Sequence, residues 1–311
     1  MKEININNTN LKLPKIAVGC MRLSNLNDSE AQSFINTAIS LRLNFFDHAD
    51  IYGGGGRCEE IFSKAIGMNQ QIREQIIIQS KCGIRRDIPG KTFFDFSKDY
   101  ILNSVDGILK RLKTDYLDIL LLHRPDALVE PQEVAEAFDR LFSSGKVRYF
   151  GVSNQKPLQI ELLQKYINQR IIINQLQLSI TNSGMIRNGM NVNMENDASI
   201  DRDGSILDYC RLKDITIQPW SPLQYGFFKG VFIGNEKFED LNTMLNKLST
   251  KYNVTKSAIA IAWLLRHPAK MQPVIGTTNV SHLMDMSKSV DIELTREEWY
   301  DIYKSAGNVL P

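Results

Sequence analysis

Two hydrophobic patterns alternate along this chain. Short runs of apolar residues are separated by longer segments in which apolar positions recur at spacings of three and four. The runs predict strands over Leu43–Phe46, Ile76–Gln79, Tyr116–Leu122, Val147–Val152, Ile171–Gln175, Ile215–Pro219 and Gln272–Ile275. Several are apolar throughout, as strands covered on both faces require. An eighth strand is expected to include Ile16–Val18, after a polar turn or hairpin in which Pro14 permits an edge but not a central strand. The spaced segments predict helices over Asp28–Leu41, Arg57–Ile66, Ser97–Leu112, Pro131–Phe142, Pro157–Tyr166, Gly204–Arg211 and Lys256–Arg266, several with Ser, Thr or Asp near the start and Gly145 or Pro268 past the end. Alternation of this kind argues for parallel βαβ units under a layer of helices. The expected class is α/β, a single (β/α)8 TIM barrel over 1–311 with an N-terminal hairpin or turn. No linker or composition shift divides the chain as a two-domain doubly wound protein would require, and no internal repeat suggests a solenoid. Residues 83–96, 181–203 and 221–237 lack periodicity and each follows a strand, which in a barrel puts them at the C-terminal rim where active sites are built.

Composition narrows the partner. The 311 residues hold 37 Lys and Arg against 35 Asp and Glu, a formal charge of +2, so no cationic excess exists for a nucleic-acid backbone or an anionic membrane. A small molecule is the expected partner. Cys20, Cys58, Cys82 and Cys210 form neither C-x-x-C pairs nor a zinc-spaced cluster. Reduced thiols, no resident metal and a cytoplasmic location are expected, since the first residues lack the apolar core of a secretory signal and no apolar run spans a bilayer. Asn7 and Asn253 open N-x-T sequons that carry no weight without such a signal.

Three predicted strands in succession end in titratable groups. The first runs into NFFDHADIYGGGG, with Asp47 at its end and Tyr52 in a glycine-rich turn; IIIQSK ends in Lys81, and LLLHRP brings His123. Taken singly, an aspartate after a strand is commonly a cap, a lysine reaches solvent and a histidine is a core residue. Together they form a proton-relay set. A phenol at its ordinary pKa of about 10 is a poor acid near neutrality, and a lysine ammonium near its oxygen favours the phenolate and lowers that value. Asp47 is expected to hold Lys81 by an ion pair, and His123 to donate to a carbonyl oxygen. A carbonyl so held lacks only a hydride, which no side chain supplies, so a nicotinamide cofactor follows.

These residues match the catalytic tetrad of the aldo-keto reductase superfamily in kind, order and strand context. The chain resembles that family over almost its full length, through GCMRL, FFDHADIYGGG, IIIQSKCG, YLDILLLHRPD, GKVRYFGVSN, NQLQLS, QPWSPL and SAIAIAWLLRHPAKMQPVIGTTN. The resemblance is greatest to bacterial oxidoreductases of the short-loop branch. It implies an NAD(P)H-dependent enzyme that reduces aldehydes or ketones, with Tyr52 as general acid, Lys81 and Asp47 as the pair that lowers its pKa, and His123 orienting the substrate. It further implies that Ser153, Asn154 and Gln175 hydrogen-bond the nicotinamide carboxamide, that Trp220 stacks on the ring, and that Ser221, Pro222 and Leu223 begin a loop over the pyrophosphate. Gly276, Thr277, Thr278 and Asn279 fall where the adenosine 2'-phosphate is held, which points to NADP(H) ahead of NAD(H). Two departures work against that choice: His282 stands where many members have an arginine, and Met286 where an adenine-contacting asparagine is common. Substrate identity is expected to depend on Phe93, Phe94 and residues 181–203.

Rival readings of the same residues follow other logic. Gly53–Gly56 lacks the Lys-Ser/Thr of a P-loop and the context of a Rossmann turn. Asp47, His48, Asp50 and His123 are the ligands a metal-dependent hydrolase on a TIM barrel would use, although four histidines in the chain make a poor imidazole supply. A cofactor-binding regulatory subunit of a membrane channel is the remaining alternative, since such subunits of the same fold can keep the tetrad.

Overall fold

In the computed structural model, which describes residues 2–6 and 9–311, eight parallel strands close into a barrel. They are β1 (Ala17–Gly19), β2 (Phe45–Asp47), β3 (Ile77–Cys82), β4 (Leu117–Leu122), β5 (Val147–Ser153), β6 (Ile171–Gln177), β7 (Thr216–Trp220) and β8 (Val274–Ile275). Each pairs with its successor, and β8 closes on β1 through Val274 opposite Ala17. Asn7, which opens the first sequon, lies outside the described residues.

The two faces of each strand go to different cores. Phe45, Ile119, Leu121, Ile173 and Val274 pack inside the barrel, whereas Val18, Phe46, Ile78, Leu120, Leu122 and Ile217 pack outward under the helices. Because side chains alternate along a strand, this register fixes where the polar residues of the same strands point. With Ile77 against the interior cluster and Ile78 in the outer one, Gln79 and Lys81 must turn inward. The foot of the barrel is stopped by an antiparallel hairpin, Glu3–Asn5 with Lys12–Pro14, whose Ile4 and Leu13 belong to the interior cluster. Pro14 is thus on a two-stranded edge, where its missing N–H is harmless.

The helices begin as their sequences direct. Asn27 caps Asp28–Ser40 in a reciprocal capping box with Glu30, and Pro131 opens Pro131–Ser143 at its first turn. Three further helices, Glu239–Tyr252, Val280–Ser287 and Arg296–Ser305, lie outside the segments predicted as helical, although Leu241, Leu245 and Leu248 bury one face of the first. The stretches without periodicity also contain structure: residues 83–96 hold the two-stranded hairpin Ile84–Arg85 with Phe93–Phe94, and residues 181–203 hold the helix Gly184–Met190. Elements this short present too few residues for a period to show.

Candidate active site

Asp47, the last residue of β2, and Lys81, near the end of β3, meet inside the barrel. Lys81 Nζ lies 2.8 Å from each Asp47 oxygen and donates to the His48 carbonyl at 2.7 Å and to Tyr52 Oη at 3.3 Å. The lysine is 0% exposed, so these contacts replace all of its water. Asp47 is held from below as well. Its Oδ1 accepts from Gln79 Nε2 at 2.6 Å and from Gln175 Nε2 at 3.0 Å. Both amides also donate to Gln218 Oε1, whose Nε2 donates to Gln272, which in turn donates to the Pro14 carbonyl of the hairpin. A line of buried amides therefore links the ion pair to the stopper at the foot of the barrel.

Tyr52 enters on a loop that four consecutive glycines shape. Gly53, Gly54, Gly55 and Gly56 all have left-handed φ values between 74° and 89°, a conformation L side chains resist. At Gly56 there is also no room, because an added Cβ would stand 2.1 Å from Arg111 Nε where that guanidinium passes to the buried Glu59 carboxylate at 2.7 Å. The loop returns the phenol over Lys81. Since the ammonium donates to Tyr52 Oη, the phenolic hydrogen is free to point elsewhere. His123, just past the end of β4, presents its ring edge-on to Tyr52 with centroids 6.0 Å apart.

Above this floor opens a cavity of about 1230 Å³, larger than a pocket for a single drug-sized ligand. Asp47, Tyr52, His123, Ser153, Asn154, Gln175, Trp220, Ser221, Pro222, Leu223, Gly276, Thr277 and His282 all line it. Asn154, with left-handed φ of 59°, turns its amide back so that Nδ2 donates to Ser153 Oγ at 2.7 Å while Oδ1 accepts from the Trp220 indole at 3.1 Å. That contact locks the plane of Trp220. Gln175 spends both amide hydrogens on Asp47 and Gln218, which leaves its Oε1 as an acceptor on the cavity wall; an Asn154 Oδ1 lone pair remains beside it. Two acceptors next to a fixed indole suit a planar aromatic amide, so these residues fit a nicotinamide.

A profile of the Aldo/keto reductase family matches residues 15–306. The chain belongs to this family. It is 35% identical to the uncharacterized oxidoreductase YcsN of Bacillus subtilis over 94% of both chains. It is 32% identical to a 6-dehydroglucose reductase of Agrobacterium fabrum over 95% of each. Among solved structures, a thermostable aldo-keto reductase, Tm1743, crystallised with the inhibitor epalrestat, superposes with a TM-score of 0.77 at 26% identity, covering 98% of this chain and 100% of its own. The protein is accordingly an oxidoreductase of aldo/keto reductase type.

The geometry adds detail to several of the expected roles. Tyr52 does not have a lowered pKa: burial pushes the phenol above its ordinary value, Lys81 pulls against that rise, and Asp47 adds to it. Lys81 is itself raised, because Asp47 and Tyr52 outweigh the burial that opposes its charge. His123 is held well below the usual histidine range by burial and by Lys81, Arg124 and Arg86, which keeps the imidazole neutral. Thr278 and Asn279 lie outside the cavity lining. Asn279 is the N-cap of Val280–Ser287, its Oδ1 accepting from His282 N at 3.1 Å, so that backbone donor is already taken. In compensation Arg22, unassigned from the sequence, lines that end of the cavity and donates to the Gly276 carbonyl at 2.8 Å. Its signal, a basic residue in the loop after β1, was too common to stand out.

The metal-hydrolase alternative finds no ligand set: among the described residues no three His, Cys, Asp or Glu side chains are grouped to hold an ion. His48 faces the outer core, edge-on to Phe62 at 4.6 Å, and burial together with Lys81 takes it down to about 3. Asp50 is pushed up to about 7 by burial and by Glu59, with its Oδ1 lacking any partner. A folded-state pKa above the unfolded value of about 3.9 stabilises the fold below that value and loses the contribution as pH rises through 7. Asp50→Asn is therefore expected to gain on the wild type by about 4 kcal/mol between pH 4 and pH 8. Urea denaturation at the two pH values measures this gain, and a stability difference that stays constant would contradict it.

Proposed function

We propose that this protein is an NADPH-dependent carbonyl reductase in which Tyr52 delivers the proton. The observation that carries the reading is the contact between Lys81 Nζ and Tyr52 Oη at 3.3 Å, at the floor of a cavity whose wall fits a nicotinamide. A nicotinamide dinucleotide held by Gln175, Asn154, Trp220 and the Ser221–Leu223 segment supplies the hydride. Tyr52 passes its phenolic proton to the carbonyl oxygen as negative charge gathers there. Lys81 stabilises the phenolate left behind, and its pull on the phenol offsets part of the cost of burial. Asp47 keeps Lys81 charged and fixed. His123, neutral, donates a hydrogen bond to the same carbonyl oxygen. Two of the relatives bear the name 6-dehydroglucose reductase, and reduction is the direction proposed here. We further take the compartment to be the cytoplasm, a reading with which four buried, free cysteines agree.

Tyr52→Phe removes the transferable hydrogen and little else. It is expected to lower kcat for aldehyde reduction by about 100-fold to 10,000-fold with NADPH affinity nearly unchanged. Activity within about threefold of wild type, at odds with any general-acid role, would exclude Tyr52 as the donor.

Selection of NADPH is attributed to Arg22, Thr277 and His282 at the far end of the cavity. Arg22, which donates to the Gly276 carbonyl at that end, supplies a fixed guanidinium for an added phosphate, so NADPH is expected to bind more tightly than NADH. Quenching of Trp220 fluorescence reports both affinities. Trp220→Phe is the control for Trp263 and Trp299, which stack on each other at 4.8 Å in the core. Tighter binding of NADH than of NADPH would reverse the assignment, and no saturable binding of either nucleotide would remove the reductase reading.

A further inference from the structure

The cavity has an unbalanced charge. Its lining carries three guanidinium groups, Arg22, Arg86 and Arg124, and one carboxylate, Asp47, which Lys81 already neutralises. Arg22 belongs to the end beside Gly276. Arg86 and Arg124 belong to the other, where both act on His123. Neither has a carboxylate within ion-pair distance among the described residues. The contrast with the neighbouring Arg85 is direct, since that side chain pairs with Asp87 at 2.6 Å and with Asp95 at 2.8 Å. Asp126, two residues after Arg124, is committed to the backbone N–H groups of Phe96 and Leu128.

Arg124 is half-buried and held in place without an anion. Its guanidinium stands 5.6 Å from the Trp220 ring centroid and 5.6 Å from that of Phe227. Both distances are within cation–π range, and no hydrogen bond or ion pair among the described residues engages its N–H donors. A cation partly removed from water is ordinarily paired, and here the opening in front of it is the substrate end of the cavity, walled by Ile84, Phe94 and Phe228.

Building on the reductase reading, we propose that the substrate is an aldehyde or ketone bearing a carboxylate, bound by Arg124 with Arg86 in support, while its carbonyl meets Tyr52 and His123. A planar guanidinium matches a carboxylate in a bidentate pair, and the apolar walls suit a short hydrocarbon segment between the two groups. Arg124 and Arg86 are then the residues that set specificity.

The test compares succinic semialdehyde and para-formylbenzoate with their methyl esters, using NADPH. The esters keep the carbonyl and the shape and remove the charge. For at least one pair the acid is expected to be favoured in kcat/KM by about tenfold or more, the scale of one charged hydrogen bond, with most of the difference in KM. Arg124→Leu is expected to bring that ratio close to unity, Arg124→Lys to keep part of it, and Arg86→Ala to reduce it to a lesser degree. A wild-type enzyme that reduces both esters as well as the acids overturns the proposal and leaves the reductase reading standing. Failure to reduce any of the four with NADPH or NADH overturns that reading and the proposal with it. Arg124→Leu that weakens NADPH binding while leaving the acid-to-ester ratio intact would make Arg124 a cofactor ligand and would also overturn the proposal.

Discussion

A lysine ammonium with no exposure to water is the constraint on which the rest of the site depends. Removing such a charge from solvent costs several kcal/mol unless it is paired and fully hydrogen-bonded. Lys81 finds both Asp47 oxygens, a backbone carbonyl and the Tyr52 phenol. Each of those partners has to be delivered by a different part of the chain: the end of β2, the segment after it and the glycine loop beyond. A slip of one residue in β3 would turn Lys81 to the outer core and bring Ser80 inside. Ile76, Ile77 and Ile78 would suit either face, so what opposes the slip is the cost of turning the Gln79 amide and the Lys81 ammonium into the apolar layer under the helices.

The second layer of the arrangement is the line of glutamines. A carboxylate oxygen that accepts from Lys81, Gln79 and Gln175 has little freedom to move. Gln218 and Gln272 extend the fixation down to the Pro14 carbonyl. Bonds in a dry interior strengthen one another along such a line, although Gln79 Oε1 is buried without a partner and that unsatisfied acceptor offsets part of the gain. The barrel thus holds the ion pair rigid before any ligand arrives, which is what a group meant to stabilise transient charge requires. The price of this rigidity is visible in Tyr52, whose burial keeps the phenol protonated and makes the pull of Lys81 necessary.

Much of this was legible in the chain, because Asp47, Lys81 and His123 each interrupt or end an apolar strand, a visible break in pattern. Gln218 interrupts its strand in the same way and Gln272 stands just before the last one, yet an uncharged amide offers no chemistry that singles it out, and its partners lie 43 to 258 residues away along the chain. The rise of the Tyr52 pKa is hidden in the chain for a related reason: proximity of a lysine can be read from order along strands, but the depth of burial that opposes it cannot. Asn279 illustrates the competition between local and ligand roles, since a residue at a helix start caps its own backbone first. Arg124 sits inside LLLHRPD, but what distinguishes it is the absence of a carboxylate nearby, a fact of three-dimensional packing that no linear pattern carries.

The central claim, that Lys81 and Asp47 stabilise the barrel only as a pair, is tested most directly by a double-mutant cycle in urea with Lys81→Met, Asp47→Leu and the two combined. Either single change leaves a buried charge without its partner and is expected to cost about 3 to 5 kcal/mol. The combined change is expected to cost less than the sum of the two by about 3 kcal/mol. Losses that add to within about 0.5 kcal/mol would contradict the account.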